Sequence, residues 1–281
     1  MGAPLLSAWP RSVTSAGPLR LDRRRWLGWG AAALAGGGLG GCATRPPAPS
    51  PGLVPARLPA SPVRFSDAVA GPDGLPPGWR LHVTRPDLPI TGYALDLLEG
   101  RAVLHARGER STSGVRCDLD ADIAATPWLS WDWRVDQFPE RATAAVDELD
   151  DSPARLVLGF DGDPDRVPLR DRLFADQVEL FTHQVLPYAT LCYQWDGQAP
   201  VGQVLPYIRS TRIRYLVVQS GGAGLGRFTR HQRNVVEDFQ QVFGEPPGRL
   251  ISIGMMSDSD DLKGPVEAWY GDLVLSGSAA G

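Results

Sequence analysis

Between Trp128 and Asp136 the chain alternates without a slip. Leu129, Trp131, Trp133 and Val135 fall on one parity, and Ser130, Asp132, Arg134 and Asp136 on the other. A period of two with every large apolar group on one side is the pattern of a half-buried strand. On that parity Trp131 and Trp133 belong to a core rather than to exposed sugar-stacking platforms. Shorter runs of the same kind, bounded by turn residues, lie at 78–83, 93–98, 102–106, 114–119, 154–161, 189–195, 213–220, 250–256 and 266–275. Residues 213–218 are apolar on both parities apart from Arg214, which predicts a central strand covered on both faces.

Two segments leave this rhythm. Leu169, Leu173, Phe174, Val178 and Phe181 have helical spacing within 169–185. In 229–243 Val235, Val236, Phe239, Val242 and Phe243 form one stripe, Thr229 and Gln232 suggest a capping box, and Gly244 supplies a stop. About ten strands with one or two helical insertions predict an all-β, mainly antiparallel fold, a two-sheet jelly-roll-like β-sandwich.

Ahead of this domain the pattern changes twice. Arg23-Arg24-Arg25-Trp26-Leu27 precedes a Gly/Ala-rich stretch that ends at Leu39-Gly40-Gly41-Cys42. That order is a secretory signal of twin-arginine type with a lipoprotein cleavage point, and Cys42 is the candidate lipidation site. Pro, Ala, Ser and Gly then dominate to residue 62, a composition that cannot bury enough surface to pack. The expected organisation is a signal at 1–41, a tether at 42–62, a β-sandwich at 63–276 and a tail at 277–281. The expected location is the periplasmic side of the bacterial outer membrane, with contact to the membrane through the lipid anchor only.

Charge narrows the partners. After residue 41 the chain keeps 23 basic and 31 acidic side chains, a net of −8. Such a surface repels nucleic acid and anionic headgroups. Cys117 and Cys192 follow the processing site; in an oxidising compartment they form either one disulfide or two small buried thiols.

The usual catalytic signposts are missing. His82, His105, His183 and His231 share no metal-ligand spacing, and there is no His-Glu-x-x-His, Gly-x-Ser-x-Gly or Cys-x-x-Cys. The glycine run 220–226 has the outer spacing of a phosphate loop, but Arg227-Phe228 stands where Lys-Ser/Thr is required. It reads as a loop at a sheet edge. Asp161, Asp163 and Asp165 alternate as in a calcium loop, without its glycine and closing glutamate. With the acidic turn Asp258-Ser259-Asp260-Asp261 they could meet around a structural Ca²⁺; otherwise no cofactor is expected.

Several ordered landmarks remain: Trp131-Asp132-Trp133-Arg134-Val135, Asp150-Asp151-Ser152-Pro153-Ala154-Arg155, Tyr193-Gln194-Trp195, Arg233-Asn234 with Glu237-Asp238-Phe239, Met256-Ser257-Asp258-Ser259-Asp260, and Ala268-Trp269-Tyr270-Gly271-Asp272. Together they resemble an uncharacterised bacterial family, domain of unknown function 3047, across roughly 63–276. The resemblance implies an exported β-rich domain with no established activity. In outline it is also similar to carbohydrate-binding sandwich modules.

The candidate ligand-binding or structural network is therefore Asp132, Arg134, Asp151, Arg155, Arg233, Asn234, Glu237, Asp238, Asp258, Asp260 and Asp272. Its arginines should be paired with its carboxylates, because a covered charge needs a partner. The leading expectation is a non-catalytic sandwich that binds an envelope glycan. The alternatives are a carboxylate-dependent enzyme acting on envelope polysaccharide, through Asp132, Asp151, Glu237, Asp258 or Asp272, and a scaffold for envelope proteins.

Overall fold

The computed structural model describes residues 57–279; the expected signal, Cys42 and most of the expected tether lie outside the described residues. The strands are β1 (Trp79–His82), β2 (Gly92–Leu98), β3 (Arg101–Glu109), β4 (Thr112–Ala121), β5 (Trp128–Gln137), β6 (Arg155–Phe160), β7 (Ala189–Asp196), β8 (Val204–Tyr207), β9 (Ser210–Ser220), β10 (Thr229–Asn234), β11 (Leu250–Asp258), β12 (Pro265–Tyr270) and β13 (Val274–Ser276). Helix α1 (Leu169–Thr182) joins β6 to β7, and α2 (Val235–Phe243) follows β10. One sheet has the order β1-β4-β11-β6-β7-β9-β8; the other has β10-β5-β12-β3-β2, with β13 also paired to β5. Every pairing is antiparallel except β7 with β9. This is a two-sheet β-sandwich of jelly-roll kind with two helical insertions.

Alternation decides which side of each strand faces the core. Leu129, Trp131, Trp133 and Val135 of β5 are buried against Leu191, Tyr193 and Trp195 of β7 and Ile253 and Met255 of β11. Trp131 meets Tyr193 across the sheets at 5.1 Å between ring centroids, and Trp133 meets Trp195 at 6.5 Å. The indole N–H of Trp133 donates to Gln219 Oε1 and that of Trp195 to the Gly221 carbonyl, so these buried rings keep polar partners. Cys117 packs in this core and Cys192 in a second cluster with Tyr215 and Val217; both are free thiols.

Three expectations need correction. Residues 229–234 are strand β10, not the start of a helix: α2 begins at Val235, with the Asn234 side chain accepting from the N–H groups of Val236 and Glu237. A Thr-x-x-Gln pattern imitated a capping box, while the actual cap is the commoner asparagine. Residues 266–275 are two strands, β12 and β13, broken at Gly271-Asp272-Leu273. Strand β9 is covered on both faces but is not central, since only the four-residue β8 lies outside it. Its second apolar face is explained by α1, which packs on it.

Helix α1 crosses the outer face of the seven-stranded sheet. At its start the Asp171 carboxylate accepts from Thr211 N–H at 2.8 Å and from the Thr211 hydroxyl, and Arg170 Nη2 donates to the Ile208 carbonyl, both on the β8–β9 hairpin. Just beyond its end Gln184 Nε2 donates to the Val83 carbonyl, next to β1. Those anchors sit at opposite edges of the sheet. Six inter-strand steps make such a sheet roughly 29 Å wide, and a helix of this length covers ~21 Å. The helix is thus a strap fixed at both rims.

Candidate functional site: the cleft beneath helix α1

Between the strap and the sheet lies a cleft of about 400 Å³. Its floor is the non-core parity of the sheet: Arg155, Val157 and Gly159 of β6, Thr190 and Cys192 of β7, and Ser252, Gly254, Met256 and Asp258 of β11. Small residues leave room there. A Cβ on Gly159 would come within 2.8 Å of Pro187 Cγ and 2.4 Å of Ser252 Oγ, so the chain following α1 approaches as closely as it does only over glycine. Phe174, Val178 and Leu186 supply an apolar roof.

One end of the cleft is polar and is organised by Arg155, whose side chain is only 5% exposed. Its Nε donates to Gln194 Oε1 at 3.1 Å, Nη1 to Asp258 Oδ2 at 2.8 Å, and Nη2 to the carbonyl and carboxylate of Asp150. The guanidinium lies over the Tyr215 ring at 5.0 Å, and the Tyr215 hydroxyl donates to Asp150 Oδ2 at 3.3 Å. Gln194 is held in turn by Asp196 Oδ2 at 3.0 Å. Four of the five guanidinium N–H groups are thereby directed, as a planar fork allows.

The carboxylates around it are stitched to the backbone. Asp258 Oδ1 accepts from Ser152 N–H at 2.7 Å, and Asp151 accepts from the N–H groups of Asp261 and Leu262 at 3.0 and 2.8 Å. Carboxylate oxygens of Asp151, Asp258 and Asp260 lie within 4.8 Å of one another. Burial pushes Asp258 well above the ordinary carboxylate range, with Arg155 opposing and Asp150 and Asp151 reinforcing. Burial raises Asp150 and Asp260 as well. Asp261 is pushed up to about 6 by burial and then by Asp260, Asp151, Asp150 and Asp147. Burial lowers His82, another lining residue, to about 4, and Arg116 and Arg80 add to the shift; it is neutral near pH 7. Among the described residues no ion pair or side-chain donor matches Asp260 or Asp261.

The candidate residues from the sequence are divided by the fold. Asp151, Arg155, Asp258 and Asp260 come together here. Arg233, Asn234, Glu237 and Asp238 form a second group that fixes α2. Arg233 pairs with Asp238, whose Oδ2 also accepts from the Tyr193 hydroxyl at 2.7 Å, while Asn234 Nδ2 donates to Glu237 Oε1. Arg233 lies on strand β10, so it meets Asp238 and not Glu237, as one continuous helix would have required. Asp132 and Arg134 lie on the other sheet's outer face, paired with Arg101 and with Asp136 and Glu99. Asp272 is separate again and holds Ser66 through its N–H and hydroxyl.

Asp161 does not join Asp258 around one ion. It accepts from Arg249 N–H, at the opposite end of β11 from Asp258, and Asp163 caps its own short turn. The sequence marks Gln194 and Asp150 only as parts of landmarks, outside the candidate network, and Tyr215 not at all. The available signals were Arg155, the lone charge in the otherwise apolar 155–160 strand, and the strand-interior glycines 159 and 254.

The chain is thus a two-sheet β-sandwich with a strapped cleft on one outer face and a buried arginine–carboxylate set at the end of that cleft. The chain belongs to the family described as protein of unknown function (DUF3047), whose model matches residues 77–274. No curated protein matches it in sequence. Among solved structures it is similar to the glycoside hydrolase domain of Spr0440, Endo-D, from Streptococcus pneumoniae R6, at 10% identity and TM-score 0.32, over 72% of this chain and 22% of that one. This chain therefore spans about a fifth of that protein. It is also similar to a non-crystalline-cellulose-specific carbohydrate-binding module, CBM28, at 12% identity and TM-score 0.37, over 78% and 97% of the two chains. A third likeness is the family GH12 endoglucanase 3 of Trichoderma harzianum, at 8% identity and TM-score 0.39, over 77% and 96%. These are likenesses of outline, and no residue role passes from them to this chain.

Proposed function

We propose that the protein is a ligand-binding β-sandwich of the bacterial cell envelope that seats a glycan-bearing component in the cleft beneath α1 without turning it over. The cleft carries this reading. Its polar end sets the one undirected N–H of Arg155 beside the carboxylates of Asp260 and Asp261, which have no side-chain partner among the described residues, and a sugar hydroxyl both donates and accepts. Asp150 and Asp258 are already held by Arg155 and by Tyr215 or Ser152, so neither stands as a free acid or base. The arginine-rich start and Cys42 support an exported, lipid-anchored protein on the periplasmic side of the outer membrane.

An enzyme is the second reading, favoured by one observation: Asp261 lines the cleft with a pKa near 6, the range of a general acid or base. Calorimetric titration with envelope glycan fragments, followed by assay for released reducing ends or unsaturated sugars, separates the two. Binding without product is expected. Product release that vanishes in folded Asp261→Asn would replace the binding reading with the enzymatic one.

A further inference from the structure

The cleft carries its buried arginine–carboxylate cluster at one end only. Away from Arg155 it runs between Phe174, Val178 and Leu186 above and Val157 and Ile213 below, with the hydroxyls of Thr190 and Ser252 in the floor. A polysaccharide strand gains little from such walls, whereas an alkyl or ring hydrocarbon is transferred from water into them favourably. The strap is apolar on its outer side too: Leu173, Leu180 and Phe181 are 55%, 70% and 75% exposed. A solvated helix over a sugar groove does not require those residues, while a helix past which an apolar group enters is served by them.

We propose that the ligand is amphiphilic, a sugar joined to an apolar group, with the apolar group lying beneath α1 and the sugar against Arg155, Asp260 and Asp261. This rests on the glycan reading above and adds the apolar half. The polar contacts suit a donor-rich neutral head. Among the described residues Asp260 and Asp261 have no side-chain partner, whereas Arg155 has one N–H undirected.

The test uses the full chain carrying Cys42→Ser, so that no acyl chain of its own competes for the cleft. Methyl, hexyl and octyl β-glucoside, and 1-octanol, are titrated calorimetrically below their aggregation concentrations. Each methylene buried tightens binding by about fourfold, so octyl glucoside should bind at least tenfold more tightly than methyl glucoside and more tightly than octanol. Val178→Trp, which fills the roof, should weaken octyl glucoside at least tenfold and leave methyl glucoside unchanged. Leu180→Trp on the outer side of the same helix should change neither, and thermal melts check that both variants fold. Equal affinity for methyl and octyl glucoside would overturn the amphiphile proposal and leave the glycan reading standing. Octanol binding as well as octyl glucoside would remove the sugar and overturn both, as would failure of every probe to bind.

Discussion

Removing the Arg155 guanidinium would leave Asp258 buried, with its carboxylate answered only by Ser152 N–H. Breaking one side of a buried pair is costly because the remaining charge has nowhere to go. Arg155→Met should therefore lower stability by about 3–5 kcal/mol in urea unfolding, and adding Asp258→Asn should recover part of that loss. Asp261 behaves in the opposite sense. Its folded-state pKa of about 6 lies above the ordinary value of 3.8, so its favourable contribution is complete below about pH 4 and is lost as pH rises through 6. Asp261→Asn should raise the melting temperature at pH 7.5 by about 2–4 °C, equivalent to ~1 kcal/mol after solvent screening, and leave it unchanged at pH 4. A carboxylate kept at such a cost near a cleft is the kind retained for a ligand.

At the scale of elements, the strap and the cap make separable predictions. Asp171→Ala cuts both bonds from α1 to Thr211. Amide exchange in 169–182 should then quicken about tenfold, ~1.4 kcal/mol of local opening, while the core strands keep their protection. Asn234→Ala removes the cap of α2 and should cost about 1 kcal/mol globally, because Val235 and Phe239 sit in the main core. How much of this was legible in the sequence depended on the apolar pattern. Strand β5 could be read to within a residue because its large apolar groups from Leu129 to Val135 share a parity. Strand β10 could not, since Thr-Arg-His-Gln-Arg-Asn contains no aliphatic residue. It is a strand because it pairs along β5 and because the His231 ring stacks on Trp131 at 5.1 Å. Strand β8 is four residues with a proline at an edge, below what periodicity resolves. The cleft was legible only in part. Arg155 stood out as a charge in an apolar run and Asp151, Asp258 and Asp260 as members of acidic turns, but Gln194 and Tyr215 join them through strand order, which local pattern does not contain.

For the whole molecule, the sandwich uses its two outer faces differently. The face of the six-stranded sheet is a lattice of closed ion pairs, Arg101 with Asp132 and Arg134 with Asp136 and Glu99. The face of the seven-stranded sheet is hollowed, strapped by α1 and left with unmatched carboxylates. Among the described residues no helix is long and apolar enough to cross a membrane. Attachment through Cys42 is proposed from the residues that precede it, and Cys42→Ser should move the protein from the membrane fraction to the soluble fraction with loss of the acyl mass. The central claim, that ligand enters beneath α1, is tested most directly by hydrogen–deuterium exchange with and without a binding glycan or alkyl glucoside. Protection should rise in 169–187 and in the β6 and β11 segments around Arg155 and Asp258. Protection centred instead on Arg101, Asp132 and Arg134, with 169–187 unchanged, would contradict it.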